Sequence, residues 1–145
     1  MAAWYGWILT LHLFCAIMFV GAVAFEVLIL EGLTPAFAPA QMHRIEEVVQ
    51  KRARRLMPVF VALLFLSGFA LFSIRCPDFE CVNTRFGIML LIKVALAFGV
   101  LAVFLNAMWA GLRGRMDPCR FRITHRIVLG MMIAIVFLAK AMFFL

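Results

Sequence analysis

The stretch that decides the fold is WYGWILTLHLFCAIMFVGAVAFEVLIL, Trp4 to Leu30. A helix crosses the hydrocarbon core of a bilayer with about 20 mostly apolar residues. This stretch is long enough, and His12 and Glu26 are its only strongly polar side chains. It lacks the positive leading region of a secretory signal and is too long for a signal core. The small-residue run Pro35 to Ala40 is only weakly cleavage-like, so a retained first helix is expected.

Working outward, the same composition recurs at Leu56–Ile74, Phe86–Leu112 and Ile127–Leu145. The second of these is free of charge, the third holds Lys93 and Asn106, and the last holds Lys140. Over the whole chain 67% of residues are hydrophobic, 14% are charged and the mean hydropathy is +1.10. Soluble domains are roughly half apolar and a quarter charged. The composition excludes a soluble globular domain and a disordered chain. It also argues against a nucleic-acid partner despite a net charge of +7, because there is too little wet surface to carry a basic patch. The expectation is an all-α integral membrane four-helix bundle, a single domain over residues 1–145, with the lipid bilayer as its first partner.

The basic residues set an orientation. Arg44, Lys51, Arg52, Arg54 and Arg55 lie between the first two spans. Arg113, Arg115, Arg120, Arg122 and Arg126 lie between the last two. The middle connection has only Arg75 and Arg85, diluted by Asp78 and Glu80. Both termini are therefore expected on the outer, periplasmic side of a bacterial inner membrane, in a multi-pass arrangement. Pro58 reads as a first-turn residue of the second span. Thr124 reads as a helix N-cap after the Asp117-Pro118 turn. His43 and His125 read as loop residues. Residues 40–55 alternate apolar and charged side chains, which suggests an amphipathic helix in the interface or an extension of the second span. Trp4, Tyr5, Trp7 and Trp109 suit an interfacial belt.

Ionisable groups inside a span cost roughly 3 kcal/mol each at the centre, so they need a reason. With a rise of 1.5 Å per residue, His12 lies about 12 Å from Trp4 and Lys93 about 10 Å from Phe86. Lys140 sits at a similar depth from the same side, where it can also snorkel to the surface. Glu26 follows His12 by nearly four helical turns, so His12, Ala16, Phe19, Val23 and Glu26 form one seam that faces the bundle interior. A simpler partner for Glu26 is Arg54 or Arg55.

Facing helices of a bundle can hold a cofactor, and haem iron takes an axial histidine. His12 with Lys93, Lys140, Arg75 and Arg85 as cations for two propionates makes a coherent haem b site. Copper is the alternative, because soft ligands suit it. His12, Cys15, Met18 and Met89 are its candidate ligands, although methionines in apolar chains mostly fill gaps. Cys76 and Cys81 lie in the outward connection, where an oxidising exterior favours a local disulfide. Their spacing is not that of a C-x-x-C redox motif.

Three stretches carry a family resemblance. Tyr5-Gly6-Trp7-Ile8-Leu9-Thr10-Leu11-His12, with Gly21 after it, resembles the opening helix of the copper-resistance-D-like (CopD) membrane proteins. Arg54-Arg55-Leu56-Met57-Pro58 through Leu66-Ser67-Gly68-Phe69 is similar to their second helix. Thr84-Arg85-Phe86-Gly87-Ile88-Met89-Leu90-Leu91-Ile92-Lys93 is similar to their Thr-x-Tyr-Gly-x-Leu-Leu-x-Lys signature. A more distant resemblance is to HemJ-type protoporphyrinogen oxidases. The HemJ resemblance implies haem b held with an essential histidine and lysine, which match His12 and Lys93 by position. The CopD resemblance implies copper transport or tolerance. The chain differs from HemJ in carrying Glu26 near the position of an arginine and in having no further histidines near Asn106.

The leading expectation is a haem b redox protein, an oxidoreductase or electron carrier working with quinone or another redox protein. The alternatives are copper transport or tolerance, a membrane thiol oxidoreductase, a small proton-coupled exporter using Glu26, and a subunit without a cofactor. Four helices enclose little volume, which leaves room for a homodimer with a shared cofactor.

Overall fold

The computed structural model describes residues 2–76, 83–113 and 118–144, with side chains at 3–76, 83–113 and 122–141. Pro77, Asp78, Glu80, Cys81, Arg115, Asp117 and Leu145 lie outside the described residues, as do the side chains of Cys119 and Arg120. Helices α1 (Ala2–Phe25), α2 (Pro39–Arg75), α3 (Arg85–Leu112) and α4 (Pro118–Phe144) run up and down in sequence order. All four are long and apolar enough to cross a membrane, and the chain is a multi-pass helical membrane protein.

Helix α1 does not end at Phe25. It passes into a π-helical turn, Glu26–Leu30, and a 3₁₀ segment, Glu31–Ala36. The Glu31 N–H donates to the Glu26 carbonyl five residues back, which widens the turn. Pro35 and the extended Phe37 then stop the helix. Pro39 opens α2, where its missing N–H is harmless, and the Ala38 N–H donates to Gln41 Oε1. Thr84 caps α3 by accepting from the Gly87 N–H at 3.0 Å.

Of the two readings of residues 40–55, the structure has the extension: they continue the second span as one helix of 37 residues. At 1.5 Å per residue it is about 55 Å long, well beyond a hydrocarbon core of about 30 Å. Pro58 therefore lies inside α2 and not in its first turn. Thr124 lies inside α4 and caps nothing, because α4 begins at Pro118. His43 and His125 are helical residues of α2 and α4, not loop residues. Pro58, Thr124 and the two histidines fall inside helices because charged turns lower hydropathy without ending a helix.

Helix α1 packs along α2, α3 along α4, and α1 also meets α4. One buried layer takes Phe19 and Val23 from α1, Val61 from α2, Val100 from α3, and Val128 and Met132 from α4. Phe19 and Phe104 meet edge to face with centroids 5.9 Å apart. The outward surface is itself apolar: Trp7, Phe14, Leu66, Phe69 and Phe137 are all exposed. Lipid is as apolar as these side chains, so the helices are held by close packing and not by expulsion from water.

Gly99 shows that packing. A Cβ there would lie 2.6 Å from Met131 Cε. The flexible tip of Met131 can move, so Gly99→Ala is expected to change stability by less than about 1 kcal/mol. Gly99→Leu drives a branched group into α4 and is expected to cost about 1–3 kcal/mol. Equilibrium unfolding in mixed micelles separates the two outcomes.

Candidate functional site

The polar groups of the bundle gather at two levels. The first is near the end that carries both termini. His12 is half-buried on α1 and faces α2. Its Nδ1 lies 3.0 Å from the Leu64 carbonyl oxygen and 3.0 Å from Ser67 Oγ. A carbonyl oxygen only accepts, so the proton is on Nδ1. Ser67 donates its own proton to the Leu63 carbonyl at 2.7 Å, which leaves Oγ free to accept from the imidazole. Both groups on α2 therefore fix one tautomer, with the lone pair on Nε2. No hydrogen bond to Nε2 is found among the described residues.

Gly68 explains how the ring comes so close. A Cβ at that position would lie 3.1 Å from His12 Cε1 and 3.5 Å from Nδ1. The Ser67-Gly68 pair is thus a cradle: serine accepts from the ring, and glycine makes room for it. Lys93 on α3 is half-buried, two turns into the helix from its Thr84 cap. His12, Ser67-Gly68 and Lys93 come from three separate stretches of sequence and share one level of the bundle.

The remaining predicted residues are less gathered. Arg75 is exposed, donates from Nε to Tyr5 Oη at 2.8 Å, and lies over the Tyr5 ring. Arg85 and Lys140 are exposed on α3 and α4. Cys15 is fully buried one turn after His12, whereas Met18 is exposed on the outer side of α1. Met89 is half-buried one turn before Lys93. Among the described residues no three His, Cys, Asp or Glu side chains cluster as metal ligands. Cys76 is buried and disulfide-bonded. Its expected partner, Cys81, is outside the described residues.

The second level lies at the opposite, arginine-rich end, and sequence reasoning missed it. Three carboxylates, Glu26, Glu31 and Glu46, meet three basic groups of α4, His125, Arg126 and Arg122. The partner of Glu26 is thus His125, not Arg54 or Arg55. Arg122 also donates to Thr34 Oγ1 at 3.2 Å. The signal was available: residues 122, 125 and 126 are three and four apart and share one helical face. Glu26 opens the π turn and lies inside the bundle, where it is 6% exposed. A cavity of about 100 Å³ lies against it, lined by all four helices, with Phe19, Val23, Phe104, Arg54 and His125 on its walls.

Compared with known protein families, curated proteins and solved structures, the chain has no match.

Proposed function

We propose that the chain is a haem b protein that moves electrons, seated in a bacterial inner membrane with both termini outside. The observation that carries this reading is the fixed tautomer of His12. An axial histidine needs a bare nitrogen, with its other N–H held by a carbonyl or carboxylate. The Leu64 carbonyl and Ser67 hydroxyl meet that requirement from α2. The donor set therefore fits a haem iron through His12 Nε2. Lys93, half-buried on α3, is a cation for a propionate, and Arg75, Arg85 and Lys140 stand toward the same end. Haem iron would supply one-electron exchange there. The protein's part is to hold the imidazole in one orientation and to bring cations to a carboxylate-bearing edge.

Two substitutions separate the parts of the cradle. Ser67→Ala leaves the Leu64 carbonyl in place, so haem is retained about tenfold less tightly at most, and the midpoint potential moves. Gly68→Val pushes a branched side chain into the imidazole, so haem content falls well below that of the parent. Haem per chain and the potential are read from the purified variants. The reading itself is tested on the parent protein from cells grown with ample haem. A Soret band that shifts to the red on reduction is expected, and a colourless protein contradicts it.

A further inference from the structure

The carboxylates gathered at the arginine-rich end are all taken by α4: Glu26 by His125, Glu31 by Arg126 and Glu46 by Arg122. The bases that α2 and α3 bring to this end have no such partner. Arg54 is half-buried, yet among the described residues it forms no ion pair. Glu47, an exposed carboxylate of α2, lies about 10 Å from it along the helix axis. The place of Arg54 is set by α3. A Cβ on Gly111 would lie 2.9 Å from Arg54 Nη1 and 3.8 Å from Cζ. The guanidinium therefore rests on the last turn of α3, at a helix end whose free carbonyls favour a cation. Those partial charges hold the guanidinium there without neutralising it. Arg113, the residue after α3, is exposed and lies over the Trp109 ring, 4.3 Å from its centroid.

The depth is that of a phosphate layer. Arg54 and Arg55 immediately precede the apolar run Leu56–Ile74, and Leu112 ends the apolar run of α3. Tryptophans such as Trp109 are enriched at this boundary. Toward the middle of the bundle the seam between α2 and α3 is apolar, with Phe65 and Phe98 in contact at 6.0 Å between centroids. We propose that Arg54 and Arg113 bind the phosphate of an anionic phospholipid such as phosphatidylglycerol, with an acyl chain along the α2–α3 seam. The planar guanidinium fork suits a phosphate, and the phosphate supplies the negative charge that Arg54 lacks. The cavity of about 100 Å³ behind Arg54 is too small for a headgroup and takes no part. An acidic protein fits less well, because a half-buried arginine at the edge of the hydrocarbon is hard for a soluble surface to reach. The site lies at the opposite end of the bundle from His12 and needs no haem.

The test offers the full-length protein, delipidated in dodecyl maltoside, equal amounts of dioleoyl phosphatidylglycerol and dioleoyl phosphatidylcholine, and counts retained lipids by native mass spectrometry. Phosphatidylglycerol is expected to be preferred by about tenfold or more. Arg54→Gln is expected to lower that preference about fivefold. Arg44→Gln removes the same charge about 15 Å farther along α2 and is expected to change it less than about twofold. Gly111→Leu keeps every charge but drives a side chain into the guanidinium, and is expected to match the loss of Arg54→Gln. Equal retention of the two lipids by the unaltered protein overturns the proposal. Equal losses from Arg44→Gln and Arg54→Gln also overturn it, because they would show diffuse attraction and no site. Displacement of the lipid by glycerol 3-phosphate would make this a soluble-anion site, and displacement by a poly-glutamate peptide would assign it to an acidic protein; either result contradicts a lipid site. The two-lipid comparison and the displacements need no variant, so a misfolded Gly111→Leu protein leaves the test intact.

Discussion

His12→Ala is expected to reduce haem retention to background and to remove the Soret band. The substitution takes away the imidazole that α2 holds in a fixed tautomer, with Nδ1 3.0 Å from the Leu64 carbonyl oxygen. Alanine fills less of the gap beside Gly68 but adds no polar group, so the helix pair is expected to stay folded. Cys76→Ser is the matched control. Cys76 lies in the last turns toward the connection between α2 and α3, away from the cradle, and its loss is expected to leave the band in place. Metal analysis of the same two proteins reads the copper alternative. Copper bound to the parent and lost in both His12→Ala and Cys15→Ser would replace haem as the cargo of this site.

The second large effect is expected at the other end. His125→Leu removes the partner of Glu26, a carboxylate that is 6% exposed. Leaving one member of a buried pair uncompensated costs about 3–5 kcal/mol. The pair replaced as a whole behaves differently. Glu26→Leu combined with His125→Leu removes both desolvated groups and is expected to recover most of the loss, because apolar replacements of similar volume are commonly neutral or stabilising. Unfolding equilibria of the two single variants and the double variant give the coupling directly. Additive losses would show that Glu26 and His125 do not act as a pair. The network around them is built of three such contacts, and Glu46 is as buried as Glu26, at 5% exposure. Arg122 reaches Glu46 only at 3.5 Å and is itself about a third exposed, so its loss is expected to be the milder one.

Hydropathy alone identified the four spans, because a run such as Trp4–Leu30 has one physical use. It also identified the inward seam: Phe19, Val23 and Glu26 are buried and His12 is half-buried. What it misjudged was length. Residues 40–55 and the first turns of α4 carry charges that lower hydropathy without stopping a helix, and charged turns can stand outside the hydrocarbon. The level of His12 with Lys93 was legible from counting rise along two helices. The cradle was not. Ser67 and Gly68 are ordinary helix residues until α1 is known to lie against them, and only that contact shows why one is a hydroxyl and the other lacks a Cβ. The Glu26–His125 pair was hidden for a similar reason. From sequence His125 reads as a loop residue, and a loop histidine has no fixed neighbour. The π turn at Glu26–Leu30 has no signature in composition.

The central claim is that His12 binds haem iron through Nε2 while α2 holds Nδ1. The most direct measurement is the visible spectrum of His12→Gly, purified from haem-rich cells, with and without added imidazole. Without imidazole the Soret band of the parent is expected to be absent. With it, free imidazole fills the space left by the side chain, and a band with the parent's maxima is expected to return. A His12→Gly protein that shows the parent spectrum with no imidazole present would contradict the account.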